Sequence, residues 1–591
     1  MKKHYLPFLA FIGFAASVNA QSIFPAIDTN FRTKSVIVTG SPVKAVPVFI
    51  GGKDTVLASN GKYALAKQGH DFVTYAPINA AAPSDSGYVV VNHELQEKNN
   101  LLGDGGGMTV FKVRKKSDGS WEKYGQFKNV DFSAVGNTVA NCGGITAPNG
   151  RIWTAEEWMV PSNKSLATGM TDTSDFTIPV GAAFAGKAIK KYQNFNWMVE
   201  IDPAKAKAVK KMYNWGRFGH EGGLVMPDNK TVYLTDDHNQ AAFYKFVAKT
   251  ANNFDDGDLF AYQQSIDGNS GEWLPIKNTS LDTMLNIQNY ALQNGATMFL
   301  RHEWPVEING KVYLTETGSD NLNYKSFLKS KFRLAKHLIG LDTIKHPFTQ
   351  TNPKDSIVVD PYGRVLQFDP ETNKMSVFLE GGKATDYASN KVHLASPDGI
   401  GVINIKGKKY MIIQEDLIGK TLGRIGNANV NGVADALNYV GEMYLLDMSI
   451  AKPTLNDLRR FAITPIGSEV TGVAASPDGS VLFFNSQHPD AKLNEGDYKN
   501  SLTMMVTNLE QVITSIFSAP KFDANGEFQI YPNPAAKELH LNMVTDVAVY
   551  DAKGNKVKVV RNTDTIDISN LTSGVYWVQT IKGQVQKLII E

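Results

Sequence analysis

The chain is 591 residues long, 42% apolar and 10% aromatic, enough to bury a large core, which excludes a disordered, collagenous or small disulfide-stapled protein. Its 60 basic and 58 acidic residues nearly cancel, so no whole-chain field favours nucleic acid or an anionic membrane. A single cysteine, Cys142, excludes intramolecular disulfides and multi-cysteine metal sites, and 50 glycines suit a turn-rich β protein.

The first twenty residues join Lys2 and Lys3 to an apolar run, Leu6 to Val18, and end at Val18-Asn19-Ala20 before Gln21. This pattern predicts a cleaved secretory signal over residues 1–20. No later segment offers about twenty consecutive apolar residues, so the mature chain is expected to be soluble, without a transmembrane segment, and exported.

Between residues 21 and 520 one composite pattern returns six times: a strand of β-branched or aromatic residues that ends in a polar, mostly acidic tip. The copies run Tyr88 to Glu94, Ile152 to Glu157, Val232 to Asp237, Val312 to Glu316, Tyr410 to Asp416 and Val481 to His488. In five of the six a second polar residue lies 13 to 18 residues upstream, pairing Cys142 with Glu156, Glu221 with Asp236, Glu303 with Glu316, Asp398 with Glu415, and Glu469 with Gln487. Such a separation is a strand, a turn and a strand back, so both members reach the same end of a hairpin. Six recurring hairpins predict an all-β, six-bladed β-propeller, with insertions that lengthen the blades. Two helical insertions are expected: Thr279 to Leu300, and Asn321 to Ile339, the latter a solvated basic face carrying Lys325, Lys329, Lys331, Arg333 and Lys336.

From about Lys521 the texture changes to short alternating strands split by Asp551-Ala-Lys-Gly and Lys582-Gly turns, which predicts a small C-terminal β-sandwich over 521–591. Tyr531-Pro-Asn-Pro, the Tyr550 to Gly554 turn and Ser573-Gly-Val-Tyr followed by Lys587-Leu-Ile-Ile resemble a type IX secretion C-terminal sorting domain. That resemblance implies the secretion machinery as a partner, and a secreted or surface-attached product that passes through the periplasm.

Around one axis the strand tips gather carboxylates that cannot all stay ionised without cations, because mutual repulsion and burial oppose it. An oxygen-rich set favours calcium, and one thiolate among carboxylates suits a more thiophilic ion such as iron or zinc. Taken singly, Cys142 reads as a buried free cysteine, and Asn92-His-Glu or His220-Glu-Gly-Gly as structural turns; the shared register is what gives them chemistry. Arg301, two residues before Glu303, is the best-placed guanidinium for a phosphate or carboxylate. Gly-x-Ser-x-Gly, Walker, His-Glu-x-x-His and Rossmann patterns are absent from the sequence.

Asn92-His-Glu94, Cys142-Gly-Gly with Trp153 to Glu157, Gly216 to Gly223 with Val232 to Asp237, Arg301-His-Glu303-Trp304, Ser396-Pro-Asp-Gly, Glu469-Val-Thr-Gly and Asn485 to Pro489 resemble, in order, the PhoX-type alkaline phosphatases. The resemblance spans about residues 30 to 510. It implies a propeller that hydrolyses phosphate monoesters at an iron and calcium cluster, with no side-chain nucleophile. By position, Cys142, Glu221 and Glu303 then resemble iron ligands, Glu94, Glu156, Glu157 and Asp237 calcium ligands, Asp236, Asp398 and Glu469 further metal ligands, and Arg301 the phosphate clamp. His302 stands where the family usually has proline, a departure that implies either altered local backbone rigidity or an added proton donor near the leaving group. Lys2-Lys3 replaces the family's twin-arginine leader, so metal is expected to be acquired after export.

Two other readings stand beside this one: a calcium-dependent propeller hydrolase of phosphodiesters, phosphotriesters or lactones, and a non-catalytic calcium-stabilised propeller that binds a partner. A monomer is expected.

Overall fold

The computed structural model describes residues 37–38, 44–166, 172–319, 331–341, 344–345, 357–358, 360, 362–383, 394–416, 441–465, 467–492, 494–518, 528–580 and 584–591. The leader expected over 1–20 lies outside them, as do Lys325 and Lys329. Two compact units divide the chain between Lys521 and Phe522.

The larger unit is a six-bladed propeller, each blade a sheet begun by one antiparallel hairpin. The hairpin of blade 1 is His70–Pro77 with Ser86–His93, and that of blade 2 is Asn141–Thr146 with Ile152–Glu156. Blade 3 opens with His220–Val225 and Thr231–Asp236, and blade 4 with His302–Ile308 and Lys311–Glu316. Blade 5 opens with Pro397–Ile405 and Lys408–Glu415, and blade 6 with Val470–Ala475 and Val481–Ser486. The six first strands neighbour one another in sequence order, and the sixth returns to the first, so they enclose the axis.

The ring is closed by the N-terminal strand Lys44–Ile50, which pairs with Leu502–Thr507 as the outermost strand of blade 6. This strand has buried Phe49 stacked on His70 and packed on Phe127, tying the last blade to the first. β-Branched and aromatic side chains alternate along these strands and meet between blades, and the largest core lies around Trp153, Trp197, Trp215 and Phe243.

The first expected insertion forms two short helices, Leu281–Leu285 and Ile287–Gln293. The second is corrected in its described part. Arg333–Leu334 is a strand paired in parallel with Thr297–Met298, and Lys336–Leu338 a single 3₁₀ turn. Ala335 and Leu338 are buried, so tertiary packing overrides the helical pattern there.

The smaller unit is one five-stranded sheet whose long strand, Glu538–Asp551, pairs along its length with Ile530–Tyr531, Lys556–Asp567 and Gly574–Thr580. Ala535 bridges Ile590, so the sheet curls nearly closed around Leu539, Val549, Ile566, Val578 and Leu588.

Candidate metal centre

All six hairpins share one irregularity at the same end. The ladder pairs His70 with His93, Asn141 with Glu156, His220 with Asp236, His302 with Glu316, Pro397 with Glu415 and Val470 with Ser486, then slips by one residue within the next three. A bulge of this kind bends the strand and re-aims a side chain. Just past the pairing residue stand Asp71, Cys142, Glu221, Glu303, Asp398 and Thr471. One step beyond the end of each second strand stand Glu94, Glu157, Asp237, Thr317, Asp416 and Gln487. Four of the first strands are entered through a left-handed residue: Gly69, Ala140, Arg301 and Ser396, with φ of 65°, 40°, 51° and 50°. Backbone strain of this sort clusters at functional sites.

These tips enclose a cavity of about 590 Å³ at one mouth of the channel, lined by eight carboxylates: Glu94, Glu157, Glu221, Asp237, Glu303, Asp398, Asp416 and Glu469. The ligand atoms form three interlocking groups, each within 4.8 Å: Asp71, Glu94 and Cys142; Cys142, Glu157 and Glu221; and Glu221, Glu303 and Asp398. Cys142 Sγ lies 2.8 Å from both Asp71 Oδ2 and Glu221 Oε1. Thr471 donates to Asp71 at 2.5 Å, while Gln487 donates to Glu94 and Thr317 to Glu303.

Burial first, and then the neighbouring carboxylates, push Asp71, Glu157, Glu221, Asp398 and Glu469 well above the ordinary carboxylate range. The same causes push the Cys142 thiol up. Asp398 Oδ1 is buried without a hydrogen-bond partner. Arg301 is the one guanidinium lining the cavity among the described residues. Its Nε and Nη2 grip Asp237 at 2.6 and 2.8 Å, and Nη2 also meets Glu303 at 3.1 Å, so Nη1 keeps no partner among the described residues. Against the cost of burial, Asp237 and Glu303 hold this guanidinium well above its ordinary value. An acidic, thiol-bearing pocket with an unpaired acceptor and a single guanidinium fits bound metal ions.

Two residues expected as ligands stay outside the cavity. Side chains alternate along a strand, so the last residue of each second strand faces away from the one after it. Glu156 accepts from Val139 N and Trp197 N, both at 3.1 Å, and pairs with Lys211 at 2.9 Å where both side chains are fully buried. Burial drives the pair toward neutrality, Lys211 down to about 8 and Glu156 up. Asp236 accepts from Gln288 at 2.9 Å and from Ala242 N at 3.3 Å. His302 is likewise not a donor to the cavity, since it is buried on the far side of its strand, 4.2 Å from the Phe299 ring and 3.5 Å from Glu316. The other expected residues, Glu94, Cys142, Glu157, Glu221, Asp237, Arg301, Glu303, Asp398 and Glu469, all line the cavity. Asp71 was missed as a site residue. Gly69-His70-Asp71 echoes Gly219-His220-Glu221, but it lies 23 residues before Glu94 (94 − 71), beyond the spacing of the other pairs.

Fold and site together define a six-bladed β-propeller with an acidic, thiol-bearing pocket at the mouth of its channel. The chain belongs to the alkaline phosphatase PhoX family, whose model matches residues 124–490, more than half its length, and it is a phosphatase. Residues 529–591 match a secretion system C-terminal sorting domain, which directs the chain to secretion or the outer surface. Among solved structures, PhoX of Pseudomonas fluorescens in complex with vanadate, a transition state analogue, shares the fold at TM-score 0.57 and 19% identity, covering 83% of this chain and 99% of that one. A gluconolactonase from Xanthomonas campestris aligns at TM-score 0.26 and 8% identity over 78% of this chain and 99% of its own. No curated protein matches. Among the described residues no helix is long and apolar enough to cross a membrane.

Replacing Lys211 by Met strands the buried Glu156 carboxyl, and urea unfolding should register a loss of about 3–5 kcal/mol. A smaller loss, within about 1 kcal/mol, would show that the pair carries no structural weight.

Proposed function

We propose that the chain hydrolyses phosphate monoesters at an iron and calcium cluster held by the propeller mouth, releasing inorganic phosphate. The observation that carries this reading is the set of three ligand groups that interlock through Cys142 and Glu221 beside an arginine with one free edge. Cys142, Glu221 and Glu303 would hold iron, since a thiolate among carboxylates suits a thiophilic ion. Glu94, Glu157, Asp398 and Glu469, with Asp237 and Asp416 in the cavity and Asp71 beside Glu94, offer the oxygen-only set that suits calcium. Bound there, the metals would neutralise the carboxylates and act as Lewis acids on the phosphoryl oxygens.

The protein's own part is to position and to select. Arg301 enters with its fork already fixed on Asp237 and Glu303, so its Nη1 edge meets a phosphoryl oxygen without having to be ordered first. The cavity has room for an ester group above the carboxylates, with Leu95, Trp158, Pro489 and Ala491 on its walls.

Raised carboxyl pKa values set the pH response. In the metal-free protein the folded state holds protons that the unfolded state gives up, so their contribution is complete below the ordinary carboxylate range and is lost as pH rises toward the raised values. The melting temperature of chelator-treated protein should therefore fall as pH rises above the ordinary carboxylate range, and saturating calcium should abolish that slope. A metal-free melting temperature that rises over the same range would contradict the account.

Arg301→Ala should lower kcat for an aryl phosphate by about 10²–10³-fold with metal content retained, and unchanged turnover removes the clamp. Cys142→Ser should lose iron and its visible thiolate absorption, measured by elemental analysis and spectroscopy of the purified protein. Full iron in that variant would make the thiol a core residue.

A further inference from the structure

Each bulge has a second residue, and around the ring these are Phe72, Gly143, Gly222, Trp304, Gly399 and Gly472. Two aromatics stand in opposite blades, 1 and 4, and the other four positions are glycine. The Phe72 and Trp304 rings meet with centroids 5.5 Å apart, both side chains buried. Glycine is required beside them. A Cβ on Gly143 would stand 1.8 Å from the Glu221 carbonyl oxygen and 3.2 Å from Trp304 Cε2.

The indole also has a polar role. Trp304 Nε1 donates to Glu221 Oε1 at 2.8 Å, the same oxygen that lies 2.8 Å from Cys142 Sγ. Glu221 belongs to two of the three ligand groups, so its orientation bears on both. Its other oxygen, Oε2, accepts no hydrogen bond among the described residues and stays available to a cation. Trp304 O is fixed in turn by Thr315 Oγ1 at 3.2 Å.

We propose that Trp304 is a positioning residue of the metal centre: paired with Phe72 it forms an apolar floor across the channel, and its N–H fixes the Glu221 carboxylate between Cys142 and Glu303. This rests on the metal-centre reading above. A neutral donor on a ligating carboxylate sets its rotamer without competing for its charge, and such outer partners typically change metal affinity 10–100-fold. An apolar floor keeps solvent from the underside, which strengthens every charge interaction above it.

Two variants separate the hydrogen bond from the floor. Trp304→Phe keeps a ring against Phe72 and deletes only the donor, whereas Phe72→Ala opens the floor and keeps the donor. Purified iron-loaded wild type and both variants are titrated with a chelator while the visible thiolate absorption is followed. Trp304→Phe should surrender iron with an affinity about 10–100-fold lower and a displaced absorption band. Phe72→Ala should keep the wild-type band position while its melting temperature falls. A Trp304→Phe protein with wild-type band and affinity, or one that only matches Phe72→Ala, overturns the positioning role. If Trp304→Phe does not fold, Trp304→Met, also without a donor, serves the same comparison. Iron absent from the wild type itself would overturn the metal reading and with it this one.

Discussion

Negative charge crowded at one mouth of a protein channel is the constraint to which the rest of this structure answers. Eight carboxylates share a cavity of about 590 Å³ with a single guanidinium. Burial and mutual repulsion both favour their neutral forms, and a neutral pocket would bind no cation tightly. The fold holds the acids together by distributing them. They come from all six blades, held at the bulged ends of the hairpins, so no single blade carries more than two of the charges. The strand Lys44–Ile50 that completes blade 6 keeps the ring from opening under that repulsion.

Fold and site were legible to different depths. Six copies of a strand with an acidic tip sufficed for the propeller, because a hairpin needs only alternation and spacing. The site needed parity as well. Glu156 and Glu157 are adjacent and chemically equivalent, yet one packs behind its strand on Lys211 and the other lines the cavity. The position of the strand's last ladder pair decides between them, and composition does not encode it. Asp71 escaped because blade 1 has a longer hairpin, not because its local motif differs. The missed strand at Arg333–Leu334 has another origin: its basic, helix-compatible pattern is overruled by pairing with Thr297–Met298.

Acids behind the strands and acids in the cavity differ in who neutralises them. Glu156 has Lys211, Glu316 has Arg364 at its side together with His337 at 2.9 Å, and Glu442 has Arg460 at 2.7 Å. Burial works against the ionised form of Glu316, yet His337 and Arg364 hold it well below the ordinary carboxylate range. Several of these rear carboxylates also accept backbone N–H groups from the loop two residues before a first strand: Val139 for Glu156, Leu300 for Glu316 and Ala395 for Glu415. The next residue in each loop is left-handed, namely Ala140, Arg301 and Ser396. The rear acids thus brace the strained turns from which Cys142, Arg301 and Asp398 enter the cavity.

Lys211, Arg364 and Arg460 thus neutralise acids behind the strands, whereas inside the cavity Arg301 pairs with Asp237 and Glu303 alone. Had evolution favoured stability alone, lysine or arginine partners could have been placed in the cavity as they were behind it, at the same few-residue spacing. Among the described residues the cavity lining carries only Arg301 and Lys499 against eight carboxylates, and Arg301 leaves one edge of its fork unused. The remaining charge deficit is one that the carboxylate and thiol groups of the pocket are suited to fill with metal ions.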